Sequence, residues 1–312
     1  MAGDSIMLKE KIENYVTMKR AMGFKYRIQN SLLQLFLAFA EAREDDCTIS
    51  QTVLEWAALA PSVAQRRNRL LTVRRFAIMM QAEDSQYEIP PANAFGGQSG
   101  KRRIPHIFSD EEVQRLLYAA SQLKPEGTIR PKTYTTLFAL LAVTGLRISE
   151  ALALNIADLT DDGLMIRCTK FRKDRLVPLH QSTQRALEYY LAYRTRYTGS
   201  DETALFISNA GSKISYSTAF QLFLQLMRSI GLRGAPGTSG AHLHDLRHTF
   251  AVKSLEQCIG DYVAVSHHMT ALSTYLGHAH ISDTYWYLQA TPRLLKQISM
   301  VQESCFQEFC YD

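Results

Sequence analysis

The sequence predicts a mainly α-helical protein of two domains with one small β-hairpin, a fold of the α+β class. Three observations carry that prediction. Apolar residues recur at helical spacing over most of the 312 positions. One stretch, Gly163 to Leu179, instead alternates apolar and polar residues around a basic turn. A segment rich in proline and glycine, residues 85–104, separates two helical regions, and a chain about twice the common domain length accommodates that division.

The first domain, residues 1–84, reads as all-helical from Met7 onward, with Leu32, Phe36 and Phe39 as an example of the periodicity. Breaks near Gly23, across Glu41 to Asp46 and at Ala60-Pro61-Ser62 divide it into four helices, and Ser62 is placed to cap the last. The linker carries Pro90, Pro91, Gly96, Gly97 and Gly100, then Lys101-Arg102-Arg103. The second domain, residues 105–312, opens on Ser109-Asp110-Glu111-Glu112, a capping box leading a helix to Ser121. A second helix is expected from about Thr133 to Val143. The hairpin follows, with strands Leu164–Arg167 and Leu176–Leu179, and helical periodicity returns after Ser182. Beyond Pro292, Leu294, Leu295, Ile298, Val301 and Phe306 mark an amphipathic tail helix.

Hydrophobic residues make up 46% and charged residues 21%, with 16 Gly and 9 Pro, which excludes a disordered chain, collagen or a coiled coil. The longest apolar run, Leu137 to Val143, is far too short to cross a membrane. Asp4, Lys9, Glu10 and Lys11 stand where a signal peptide needs an apolar stretch, so a cytoplasmic location is expected. Five cysteines without a C-x-x-C pair read as reduced and structural. The net charge of +5 permits an anionic partner. Because the first 100 residues hold 12 basic and 11 acidic side chains, any nucleic-acid surface has to be local. Its candidates are Arg66, Arg67, Arg69, Arg74 and Arg75 in the fourth helix and Lys101, Arg102 and Arg103 in the linker, although the same arginines would equally make a solvated helix face.

Chemistry concentrates toward the C-terminus, where seven of nine histidines lie between His242 and His280. In the run from His242 to Phe250, His244, Arg247 and His248 fall at one-turn spacings. Three readings compete there. His242, His244, Asp245 and His248 would make a metal-dependent phosphohydrolase or nuclease; Arg247 and His244 would clamp a phosphate; or the segment is a half-buried polar helix start. Thr144-Gly145-Leu146-Arg147-Ile148-Ser149-Glu150 fixes Arg147 on a short connection between two helices, as a ligand clamp or as half of an ion pair with Glu150. Lys170 sits in the basic turn among Arg172, Lys173 and Arg175. Leu276-Gly277-His278 precedes a tyrosine-rich segment containing Tyr285 and Tyr287.

Order and spacing together give these signals a meaning that none has alone. The chain resembles the tyrosine recombinases, the phage-integrase family of site-specific recombinases. That family's pattern is an Arg in T-G-x-R-x-x-E, a Lys in a basic turn before R-x-V-P-L, then H-x-L-R-H, L-G-H, and a Tyr nine residues after that last His. The matching positions are Arg147 with Glu150, Lys170 before Arg175, His244 with Arg247 and His248, His278, and Tyr287. The resemblance implies a helical core-binding domain and a catalytic domain that close as a C-shaped clamp on double-stranded DNA bearing specific recombination sites. It implies cutting and rejoining through a 3′-phosphotyrosyl intermediate, with Tyr287 as nucleophile, Lys170 as the acid at the 5′-oxygen, and no metal or other cofactor. It also implies a tetramer on DNA, with the tail helix as one possible protomer contact, and room for accessory or sister recombinases. The finer likeness is to enzymes serving mobile elements, and the alternative within the same fold is a non-catalytic DNA-binding protein. The interval from Arg247 to His278 exceeds that of many family members, so Asp261–Ser273 reads as an insertion.

Overall fold

A computed structural model of the protein describes residues 4–96, 103–167, 174–197, 202–238, 240–257, 262–278, 280 and 282–289. The chain divides into two compact units, Met1–Arg102 and Arg103–Asp312. Among the described residues no helix is long and apolar enough to cross a membrane.

Among its described residues the first unit contains four helices: α1 (Asp4–Ala21), α2 (Arg27–Glu41), α3 (Ser50–Ala58) and α4 (Val63–Gln81). Ser62 accepts a hydrogen bond from the Gln65 N–H, which satisfies one of the orphan donors at the start of α4. Leu8, Ile12, Leu33, Phe36, Leu70 and Phe76 are wholly buried between the helices. Edge-to-face contacts of Phe36 with Trp56 and of Phe76 with Tyr15, each at 5.4 Å, lock the core. Residues expected to begin the linker are tied into this unit. Tyr87 is buried in the core, and Thr48 and Glu88 exchange hydrogen bonds of 2.8 and 3.0 Å.

The second unit starts on α5 (Asp110–Ser121), whose N-terminus has both bonds of the Ser109/Glu112 capping box. Helix α6 (Ile129–Thr144) begins four residues before its expected start. It does so because Pro131 falls in the first turn, where a missing N–H costs nothing. After the short α7 (Ile148–Ala151), the expected hairpin is one part of a three-stranded antiparallel sheet in the order β1 (Leu159–Thr160), β2 (Gly163–Ile166), β3 (Arg175–Val177). A two-residue strand has too few alternations to show in a sequence. The register sets Leu164 opposite Val177 and Ile166 opposite Arg175, with Leu164, Ile166 and Val177 buried.

Helices α8 (Gln181–Arg194), α9 (Tyr216–Ser229), α10 (Asp245–Glu256), α11 (Tyr262–Leu276) and α12 (Ser282–Gln289) follow. The stretch Asp261–Ser273, expected as an insertion, is for the most part α11. Met269, Leu272 and Leu276 lie on one face and are buried with Ala251, Val252 and Leu255 of α10 and Tyr287 of α12. The chain entering this unit is stitched to one face of α10 at one-turn intervals. Arg103 pairs with Asp245, the Phe108 N–H donates to Thr249, and Lys253 pairs with Asp110. The tail helix expected beyond Pro292 lies outside the described residues.

Candidate active site

The C-terminal end of α11 is where the site is built. A helix leaves its last carbonyls without intrahelical partners and carries partial negative charge there. At this end the orphan carbonyls of three consecutive residues receive three guanidiniums. Arg175 Nε donates to the Tyr275 carbonyl at 2.9 Å, Arg247 Nη2 to Leu276 at 2.7 Å, and Arg147 more distantly to Leu276 and Gly277 at 3.4 and 3.5 Å. Arg247 also donates to the Gly145 carbonyl at 2.9 Å, so one side chain ties the end of α6 to the end of α11. Both glycines are in the left-handed region, Gly145 at φ 61° and Gly277 at φ 66°. A Cβ on Gly145 would stand 2.5 Å from the Phe250 ring, and one on Gly277 would meet the Arg175 guanidinium at 2.8 Å. Helix ends that must turn sharply and pack this closely have room only for glycine.

Among the described residues one carboxylate, Glu150, bonds to this group of cations. Glu150 accepts from Arg147 Nη1 at 2.9 Å, from the Arg147 N–H at 3.1 Å, and from Arg175 Nη1 and Nη2 at 3.1 and 2.9 Å. Burial by itself pushes the Glu150 carboxyl up, but the Arg175 hydrogen bonds and charge and the Arg147 bonds outweigh it, and the group is held below the usual range. Three arginines around one carboxylate leave the site with excess positive charge. Arg247 feels both burial and the neighbouring Arg147 charge, which push its pKa down to about 10 and leave it protonated at neutral pH.

The histidines are neutral by construction. Burial, then the charges of Arg247 and Arg147, push His278 down to about 4. His248 is pushed to about 4 by burial and by His244. His244 reaches about 4 through loss of hydration and the same two guanidiniums, although the residue as a whole is exposed to solvent. His278 Nδ1 lies 2.8 Å from Thr284 Oγ1, which fixes the ring. Tyr287 is buried, stacked on His278 with centroids 6.1 Å apart, and its ring lies 5.5 Å from that of His248, which in turn meets His244 edge-on at 4.7 Å.

Arg147, Glu150, His244, Arg247, His248, His278 and Tyr287 are therefore brought together, although more than 130 residues of sequence separate the first from the last. Lys170 lies outside the described residues, as do Lys101 and Arg102, and nothing is described of the Tyr285 side chain. Asp245 of the metal-dependent alternative is committed elsewhere, since its carboxylate takes Arg103 and the His242 N–H. Among the described residues no three His, Cys, Asp or Glu converge as metal ligands. On α4, Arg66, Arg67 and Arg69 bond the carbonyls of Ala60, Gly96 and Trp56, Arg74 is half-buried, and Arg75 is exposed. Arg103 spends its guanidinium on Asp245 and Gly240. In the sequence Arg175 stands out only as part of a motif. Its position on the return strand of a basic turn was the available signal.

The profile of the phage integrase family matches residues 107–293. A putative integrase/recombinase of Sinorhizobium fredii is 39% identical over 299 residues, covering 93% of this chain and 95% of its own. The tyrosine recombinase XerD of Mycobacterium tuberculosis is 31% identical over 250 residues, 78% of this chain and 74% of its own. A crystal structure of a lambda integrase tetramer bound to a Holliday junction has a similar fold, with a TM-score of 0.62 at 16% identity over 90% of this chain and 76% of its own. The chain belongs to the phage integrase family of tyrosine recombinases, enzymes that transfer DNA strands.

Proposed function

We propose that this protein is a site-specific recombinase that cuts one strand of a DNA duplex with Tyr287 and rejoins it to another. The observation that carries the reading is the convergence of Arg147 and Arg247 with three neutral imidazoles beside Tyr287. Attack on a phosphodiester builds negative charge on the non-bridging oxygens, and two preorganised guanidiniums stabilise that charge without a metal. The Tyr287 Oη–phosphorus bond forms as the bond to the 5′-oxygen breaks. One of the neutral rings of His244 and His278 takes up the tyrosine proton while the other hydrogen-bonds the phosphate, and Lys170 protonates the departing oxygen. The phosphotyrosyl link keeps the energy of the broken bond, so rejoining needs no cofactor.

The working assembly is a tetramer on two DNA sites, a reading supported by the lambda integrase neighbour, which is a tetramer bound to a Holliday junction. Arg75, exposed on α4, and Lys101 and Arg102 of the linker contact the duplex backbone, whereas Arg66, Arg67, Arg69 and Arg103 are engaged within the protein. The element served is a mobile one, and the enzyme acts in the cytoplasm. To test the reading, the purified protein is incubated with sheared genomic DNA of its source cell and denatured, and covalently attached fragments are recovered and sequenced. The expected result is an adduct at a discrete sequence, formed in EDTA and mapped to Tyr287. Cleavage abolished by EDTA would return the metal-dependent alternative, and an adduct persisting in Tyr287→Phe would move the nucleophile to another tyrosine.

A further inference from the structure

Arg175 is given no part in the steps above, yet it is held on three sides. Its two Nη atoms fork both oxygens of Glu150, and its Nε reaches the Tyr275 carbonyl. Its side chain is 12% exposed, against 28% for Arg147. Glu150 uses the same two oxygens for Arg147, one for the guanidinium and one for the backbone N–H. That sharing poses an electrostatic problem. Paired one-to-one with a buried carboxylate, Arg147 would be half of a neutral pair, and the charge wanted at a phosphate would be spent inside the protein. The planar fork of a second arginine removes the problem, because a bidentate contact satisfies both carboxylate oxygens and compensates their charge.

We propose that Arg175 is a positioning residue that neutralises Glu150, so that Glu150 aims Arg147 without cancelling its charge and Arg147 faces a tetrahedral oxyanion as a full cation. Arg175 acts through Glu150 and touches no substrate. The inference rests on the reading that Arg147 binds the phosphate being attacked.

The test compares Arg175→Gln, Arg175→Lys, Glu150→Gln and the double variant Arg175→Gln/Glu150→Gln in the full-length protein. Two probes are used: inorganic tungstate, a tetrahedral dianion, titrated calorimetrically at low salt, and single-turnover adduct formation on a nicked duplex built on the recovered target sequence. Arg175→Gln is expected to weaken tungstate binding about tenfold, as loss of one compensating charge does, and to slow adduct formation about tenfold to a hundredfold. Adding Glu150→Gln is expected to restore most of both, since the charge that would capture Arg147 is then gone. A residue that merely ties β3 to α11 gives the opposite result, two losses that multiply. That result, or wild-type behaviour of Arg175→Gln on both probes, overturns the proposal. Urea unfolding controls for folding. Should Arg175→Gln fail to fold, Arg175→Lys replaces it, expected to show intermediate tungstate affinity that Glu150→Gln raises further; unchanged affinity overturns the proposal. Should the tungstate pattern hold while the wild-type protein forms no DNA adduct, the recombinase reading falls and the role of Arg175 stands.

Discussion

The arginines of α4 and those at the end of α11 use the same chemistry to different ends. In both places guanidiniums donate to backbone carbonyls. Along α4, Arg66, Arg67 and Arg69 each reach a different carbonyl and no two of these are adjacent, at positions 60, 96 and 56. In the second unit, Arg147, Arg175 and Arg247 come from distant parts of the chain and meet on the adjacent carbonyls of residues 275–277. The first arrangement staples a helical domain; Arg69 also lies 5.0 Å over the Trp56 ring. The second concentrates charge where an anion can be bound. The number of cations is similar in the two places, so their convergence, and not their number, distinguishes a site from a surface.

That contrast can be broken most forcefully at Arg247. Arg247→Gln removes the bridge between the Gly145 and Leu276 carbonyls and one of the two proposed oxyanion donors. Adduct formation on a nicked target duplex is expected to fall about a thousandfold, and urea unfolding to show a loss of about 3 kcal/mol from the carbonyls left without a donor. Gly145→Ala comes next. The left-handed backbone and the Phe250 ring in the way predict a loss of about 2 kcal/mol by the same unfolding measurement.

A third measurement separates the units by pH. His248 and His278 titrate at about 4 in the folded protein, below their value of about 6.5 in an unfolded chain. The stability linked to their neutral forms is complete above pH 6.5 and is lost as pH falls from there toward 4. The first 105 residues contain no histidine. Hydrogen exchange followed by mass spectrometry on the intact chain should therefore show α10–α12 losing protection between pH 6.5 and 5 while α1–α4 hold theirs. Equal loss in both units would contradict the assigned shifts. The smallest effect belongs to Arg75, the exposed arginine of α4. Arg75→Gln should weaken duplex binding similarly for all sequences and lower the log–log salt slope by about 0.9, and an unchanged slope would remove α4 from the DNA interface.

Much of the fold was legible because its signals are local. The Ser62 cap, the Ser109/Glu112 capping box and the glycine stop at Gly145 each lie within a few residues of what they control, and the Arg147/Glu150 pair sits three residues apart. What escaped has long range or little pattern. Helix α11 is rich in β-branched and polar residues, and its burial shows only in the spacing of Met269, Leu272 and Leu276 once α10 is beside it. The Arg175 contacts reach 25 residues back to Glu150 and 100 forward to Tyr275, and a backbone acceptor leaves no mark on a sequence. The motif pattern identified the participants, and the structure shows that the helix terminus organises them.

The choice of main-chain acceptors also bears on how such a site drifts over generations. Every amino acid, proline included, carries a carbonyl, so no point mutation can delete the oxygens at positions 275 and 276 that receive Arg175, Arg147 and Arg247. Selection there acts on packing and on the shape of the helix end, and only Gly277, by its backbone angle and its closeness to Arg175, is held to one residue. The anchoring of the cations is thereby insulated from most genetic change in the helix that supports them.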